Sequence, residues 1–239
     1  MLKRRADSYE TVVDNWGLSG NYHEYTFGPV RDGNGDLWCT LNIGFPSGKG
    51  PARIHRGSAF RVTPSGKFEI TCMGLRSPNG LVVNDDGDVF YTDNQGERMD
   101  VCRLSHLQPR KNYGHPVSFE WAHKMPDFGW SEDRTLPAIW YPYSLARSTS
   151  WPAIDRTKGK FGPSAGQMFV GDQNNSLIVR TTLEKVGGVW QGACYPFWQR
   201  FAGGINRLAF DTDGTLYAGL TNRGWGSVGT TGHGLQRIR

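Results

Sequence analysis

No apolar run in this 239-residue chain approaches the ~18 residues a membrane-crossing helix requires. The amino terminus, Met1-Leu2-Lys3-Arg4-Arg5, is followed by an acidic, tyrosine-containing stretch and not by an apolar segment, so no secretion signal is read. The four cysteines, Cys39, Cys72, Cys102 and Cys194, have neither metal-ligand spacing nor a haem-attachment pattern. Each reads as a small buried apolar residue. A formal charge of +5 invites nucleic acid, but apart from Lys3-Arg4-Arg5 the basic residues form no stripe and no aromatic–basic interleaving. Nucleic-acid binding is therefore excluded. Helix is scarce too: only Ser8 to Trp16 and a few short connections carry a helical pattern.

What the chain has is turns. Thirty-two glycines, thirteen prolines and 13% aromatic residues suit an all-β protein of many short strands, and the length allows a full core. One turn motif recurs, in Asp32-Gly33-Asn34-Gly35-Asp36-Leu37-Trp38, in Asp85-Asp86-Gly87-Asp88-Val89-Phe90 and in Asp211-Thr212-Asp213-Gly214-Thr215-Leu216-Tyr217. The aligned glycines at 35, 87 and 214 are 52 and 127 residues apart. The longer gap is about two periods of the ~40–50 residues of a propeller blade, plus insertions. The fold class expected is all-β, a β-propeller of four-stranded blades.

Four units can be drawn after a lead-in over 1–20: 21–74, 75–116, 144–203 and 204–239. Inner strands are expected at Glu24 to Pro29, Gly80 to Asn84 and Asn206 to Asp211. Second strands are expected at Leu37 to Asn42, Val89 to Asp93 and Leu216 to Thr221. The third unit has no Asp-Gly turn and reads as Gln167 to Gly171 and Ser176 to Leu183, with Asn174-Asn175 between them. A tryptophan- and proline-rich insertion spans 118–142, with Trp121, Trp130 and Trp140, and is expected to cover one face. Four blades are the bottom of the known range. The chain reads as part of a six-bladed propeller, with a closed four-bladed disc as the rival. An open ring exposes two strand edges, which predicts edge-joined dimers or poor solubility.

Inner-strand ends of a propeller point towards a central channel, and several polar groups fall there. His23, just before the first inner strand, is either a base for a substrate hydroxyl or a histidine bonded to a loop carbonyl. Arg76, held extended by Ser77-Pro78, either orients an anionic ligand or ties two blades through carbonyls. Asp93, Gln95 and the carbonyl of Gly96 offer oxygens for calcium; Asx-type turn bonding is the simpler use. Asn206 and Arg207 bracket the last hairpin with Asn222-Arg223-Gly224-Trp225-Gly226, and Trp225 could wall a sugar pocket or pack between blades. His55, His106, His123 and His233 are left as structural.

These residues resemble the soluble glucose/sorbosone dehydrogenase family, six-bladed propellers that oxidise sugars with pyrroloquinoline quinone and calcium. The resemblance is strongest in Arg76-x-Pro78-x-Gly80-Leu81, the Asp-Gly hairpin, Gln95-Gly96 and Asn112-Tyr113-Gly114-x-Pro116. It implies His23 as the base, Arg76 as a quinone contact, the Gly96 carbonyl as a calcium ligand and Tyr113 as part of the pocket wall. It implies an extracytoplasmic location and, for some relatives, an electron-accepting haem domain or protein. The sequence departs from the pattern in four places. Tyr22-His23-Glu24-Tyr25 lacks the family's glycines, Glu97 replaces a proline, and Asn174 falls where a lysine stands. Asn206 falls where an arginine stands, with Arg207 one place later; in a regular strand that shift aims Arg207 to the opposite face. Ser77-Pro78-Asn79-Gly80 is also the pattern of gluconolactonase and senescence-marker propellers. That similarity implies a hydrolase in which Asn79 and Asp93 hold a metal. A non-catalytic binding scaffold is the third reading.

Overall fold

The computed structural model describes residues 8–45, 54–125, 129–222 and 226–239. It consists of four antiparallel meanders taken in chain order. The first contains β1 (Thr26–Arg31), β2 (Leu37–Leu41), β3 (Ser58–Val62) and β4 (Phe68–Met73). The second contains β5 (Pro78–Val83), β6 (Val89–Asp93), β7 (Arg103–His106) and β8 (Ile139–Trp140). The third contains β9 (Thr149–Ile154), β10 (Met168–Asp172), β11 (Leu177–Val186) and β12 (Val189–Trp198). The fourth has three strands, β13 (Gly204–Phe210), β14 (Leu216–Thr221) and β15 (His233–Ile238). The innermost strands β1, β5, β9 and β13 pack on one another in that order, and the ring of sheets is not closed.

The repeated turn has one geometry. Gly35, Gly87 and Gly214 each take a positive φ (88°, 85° and 91°), which a side chain would strain. Each amide donates to the residue three before it, Asp32, Asn84 and Asp211. Thr63-Pro64-Ser65-Gly66 makes a fourth such turn between β3 and β4, without the aspartate that marks the others in the sequence.

Side chains alternate between the two faces of each strand, so each sheet feeds two cores. Trp38, Ala59 and Cys72 meet Leu81, Val89 and Tyr91 between sheets one and two. Phe90, Leu104 and Ile139 meet Met168, Val170 and Val179 between two and three. Phe169 and Ile178 meet Ile205, Leu216 and Ala218 between three and four. Gly80 lets the second and third sheets close up at the axis, because a Cβ there would run into the Trp151 backbone. The other face of the first sheet (Leu41, Phe60, Val62, Ile70) is covered by Trp16, Trp121 and Trp130 from the lead-in and the insertion. Trp16 stacks on Phe60 at 5.0 Å, and Trp121 Nε1 donates to the Arg56 carbonyl at 2.8 Å.

Three expectations change. Ser8 to Trp16 is not helical; the α-helix present among the described residues is α1 (Phe119–Ala122), inside the insertion. Trp16 is spent on packing rather than on a helix face. The insertion does not end outside the sheets: Ile139–Trp140 is the outer strand of the second sheet, paired with β7, so that unit does not close at Pro116. The fourth sheet has three strands rather than four. All four cysteines are free thiols, three of them buried, and burial pushes Cys39 up to about 11.

Candidate functional site at the axis

Each inner strand carries one residue too many at its axial end. Between Phe27 and Val30, Pro78 and Gly80, Thr149 and Pro152, and Ile205 and Arg207, the register against the second strand slips by one. Such a bulge bends the strand and re-aims side chains. Its consequence is clearest in β13. Asn206 is the extra residue, so Asn206 and Arg207 both reach the axis in place of alternating. The expectation that Arg207 would point away is overturned by this bulge. Its guanidinium lies 5.5 Å from the Phe27 ring and 5.0 Å from the Trp151 ring, and it donates to Asn79 Oδ1 at 3.4 Å and to the Asn206 carbonyl at 2.7 Å. One side chain thus touches all four sheets.

Around it lies a cavity of about 810 Å³ with walls from every sheet. The first sheet supplies His23, Tyr25, Phe27, Asn42 and Phe45; the second supplies Arg76, Asn79 and the run Asn94 to Glu97; the third supplies Arg147, Gln173 and Asn174; the fourth supplies Asn206 and Arg207. His23, Arg76, Asn79, Gln95, Gly96, Asn174, Asn206 and Arg207 are therefore brought together. Asp93 and Tyr113 are not in that wall. Trp225 lies outside the described residues.

His23 sits in a tight turn built by Asn21, whose Oδ1 accepts from the His23 amide at 3.0 Å and whose Nδ2 donates to the Phe45 carbonyl at 3.0 Å. The imidazole meets Phe45 edge to face at 5.2 Å, and Arg76 lies over the same ring at 4.3 Å. Beneath the turn, the buried Arg56 donates to the carbonyls of Gly17, Glu24 and Tyr25. Arg56 is a positioning residue the sequence did not reveal, since nothing local distinguishes it.

Arg76 donates through Nη1 to the carbonyls of Gln95 (2.8 Å) and Asn94 (3.2 Å), and its guanidinium lies against the α-carbon of Gly96. Burial lowers its pKa, against the pull of Asp93 and Glu97. Burial lowers that of Arg207 as well. Arg76 Nε and Asn42 Oδ1 are buried in the wall without a partner. A donor and an acceptor are thus left for something polar to fill.

Asp93 has another task. Its carboxylate accepts from the amides of Arg76 (3.1 Å) and Ser77 (2.7 Å) and pairs with Arg103 at 3.0 Å, with neither side chain exposed. Asn79 donates Nδ2 to the Thr149 carbonyl at 3.1 Å and offers Oδ1 to Arg207. Three of the oxygens proposed for calcium already have partners: the Asp93 carboxylate accepts from Arg103 and two amides, the Gly96 carbonyl from the Met99 amide at 2.9 Å, and the Gln95 carbonyl from a guanidinium that is itself a cation. Among the described residues no cluster of three acidic, histidine or cysteine side chains is present. Calcium does not fit this donor set; of the alternative pair, the Asp93 carboxylate is held by Arg103 and Asn79 Oδ1 accepts from Arg207. Tyr113 is a correction too. It is buried between the first two sheets, edge to face with Tyr91 at 5.4 Å, its hydroxyl donating to the His106 carbonyl.

Arg147 was missed, although a signal existed. Arg147-Ser148 precedes β9 as Arg76-Ser77 precedes β5, and in each case the second strand ends in an aspartate, Asp172 or Asp93. The absence of an Asp-Gly turn in the third unit hid this correspondence.

No known family's sequence profile and no curated protein matches the chain. Solved structures do. A putative oxidoreductase (glucose dehydrogenase) from Thermus thermophilus superposes with a TM-score of 0.62 at 20% identity, over 87% of this chain and 63% of that one. Aldose sugar dehydrogenase from Streptomyces coelicolor, in its PQQ-bound form, gives 0.60 at 17% identity, over 87% and 59%. A luciferin-regenerating enzyme gives 0.51 at 13%, over 97% and 66%. The chain spans about three fifths of the length of the first two. At such identities a likeness speaks to architecture alone, and it agrees with the sheets described above: the chain has the β-propeller fold, with four sheets in an unclosed ring.

Proposed function

We propose that the chain is the ligand-binding part of a sugar dehydrogenase-like propeller, oxidising an alcohol or hemiacetal carbon with pyrroloquinoline quinone as the two-electron acceptor. One observation carries the reading: the lining of a single axial cavity includes three arginines, Arg76, Arg147 and Arg207, together with His23. A planar quinone with three carboxylates matches three forked cations and the aromatic rings of Tyr25, Phe27 and Phe45. The unpartnered Arg76 Nε and Asn42 Oδ1 add a donor and an acceptor. Support also comes from the similar structures, a putative oxidoreductase (glucose dehydrogenase) and a PQQ-bound aldose sugar dehydrogenase.

In this reading His23 accepts the proton of the substrate hydroxyl. Phe45 sets the imidazole's orientation and separates it from Arg76, while Arg56 and Asn21 fix the turn beneath. Arg76 and Arg207 hold and orient the anionic ligand. No step uses calcium. Electrons would pass onward to a haem domain or protein, in an extracytoplasmic setting. No helix among the described residues is long and apolar enough to cross a membrane.

The test is dye reduction with aldoses after addition of the quinone, in wild type and His23→Asn. Quinone-dependent turnover that falls about 100-fold or more in the variant, at unchanged quinone affinity, supports the proposal. Lactone hydrolysis without quinone, or turnover indifferent to His23, would contradict it.

A further inference from the structure

The second and third sheets repeat a device as well as a fold. In the second, Asp93 closes β6 and accepts from the amides of Arg76 and Ser77 at 3.1 and 2.7 Å. In the third, Asp172 closes β10 and accepts from the amides of Arg147 and Ser148 at 2.8 and 2.7 Å. Each carboxylate fixes the main chain of an Arg-Ser pair where it enters the inner strand. Each arginine lines the cavity. Both guanidiniums then settle on an aromatic face, Arg76 over Phe45 at 4.3 Å and Arg147 over Tyr143 at 4.7 Å. Ring stacking uses the flat face of a guanidinium and leaves its edge N–H groups for hydrogen bonding. Among the described residues Arg147 has no carboxylate partner, and it is one of the residues that line the cavity.

We propose that Arg147 is a ligand-binding residue, the counterpart of Arg76 across the repeat, and that the pair selects ligands carrying two or more carboxylates over those carrying one. The inference rests on the cavity being an anion site, as in the function proposed above, and does not require the anion to be a quinone. It also accounts for Asn174, which stands where the resemblance implies a lysine. The positive charge absent from that turn, which lies within the same sheet, is present in the loop that pairs with it, where the Gln173 amide donates to the Ser148 carbonyl at 2.9 Å.

Calorimetric titration of wild type, Arg147→Gln and Arg147→Lys tests this with four probes: benzoate, isophthalate, trimesate and pyrroloquinoline quinone. Wild type should bind the di- and tricarboxylates more tightly than benzoate. Arg147→Gln should weaken them about tenfold or more, a charge-assisted pair lost, and leave benzoate within about twofold. Arg147→Lys should recover only part, since an ammonium has no fork. The melting temperature of the free variants should stay within about 2 °C, because Arg147 is exposed. Equal affinities of wild type and Arg147→Gln for isophthalate and trimesate would overturn the inference, as would an equal loss for benzoate or no binding of any probe. The two readings separate cleanly. Arg147-dependent isophthalate binding without quinone binding keeps this one and removes the quinone; quinone binding untouched by Arg147→Gln does the reverse.

Discussion

Arg103 Nη2 lies 3.0 Å from Asp93 Oδ2, and both side chains are sealed from solvent. The same guanidinium donates to the Tyr113 carbonyl, and the same carboxylate holds the amides of Arg76 and Ser77. The pair therefore links the outer part of the second sheet to the loop that carries a cavity arginine. Asp93→Asn leaves Arg103 buried without its counter-charge and should cost about 3–5 kcal/mol. Urea unfolding reads this directly. A variant of wild-type stability with altered metal affinity would return Asp93 to the role of a metal ligand.

Gly96 has a φ of +144°, and a Cβ there would strike the Arg76 guanidinium. Gly96→Ala should dislodge Arg76 from the Asn94 and Gln95 carbonyls and strain the backbone. We expect a stability loss of about 1–3 kcal/mol and weakened anion binding together. Thermal melting with and without trimesate separates the two effects. Full binding in a destabilised variant would mean that Arg76 serves the loop and not the ligand.

With Asp93 paired to Arg103, the Gln95 carbonyl held by Arg76 and the Gly96 carbonyl accepting from the Met99 amide, calcium has no free shell to enter. Millimolar calcium should leave the melting temperature of the free chain unchanged, and a chelator should leave it unchanged too. A ligand bound by the native state alone must raise the melting point. A calcium-dependent rise would show that Arg76 yields its seat to the ion.

His115 is fully buried, and burial holds its pKa down to about 4, with Asp93 pulling it up and Arg76 pushing it down. The unfolded chain takes up this proton near pH 6.5, while the folded chain resists until about 4. Stability from this residue is thus present above 6.5 and lost as pH falls through that window, by about 3 kcal/mol in full. Urea midpoints at pH 7 and pH 4.5 should diverge less for His115→Asn than for wild type. Identical slopes would place the acid sensitivity in the carboxylates.

The parts of the fold that were legible in the sequence are those fixed by local chemistry. A glycine at positive φ after aspartate or asparagine writes a turn into the sequence, and the strands on either side of Gly35, Gly87 and Gly214 followed from it. Leu216–Thr221 and Val89–Asp93 need no adjustment. The outer strand Ile139–Trp140 was hidden because two residues carry no periodicity and its partner β7 ends 33 residues earlier, at His106. The aim of Arg207 was illegible for a different reason: a bulge is set by how a strand registers on its neighbour, and Asn206 does not announce one. Asp93 looked like a ligand because its sequence neighbours are ligand-like; its true partner, Arg103, lies on the next strand, paired directly opposite. Arg147 carried a local signal, the Arg-Ser pair before an inner strand, but without an Asp-Gly turn in its unit the correspondence with Arg76 becomes plain only through the hydrogen bonds to Asp172.

The account stands or falls on the axial cavity as the place where a carboxylated ligand is held. A crystal structure of the chain soaked with pyrroloquinoline quinone is the most direct measurement. It should put the ligand between Phe45 and Arg207, with carboxylates against Arg76, Arg147 and Arg207 and an open edge towards His23. Density for the quinone at the outer faces of the sheets, or an axis filled by side chains with no room for it, would contradict the account.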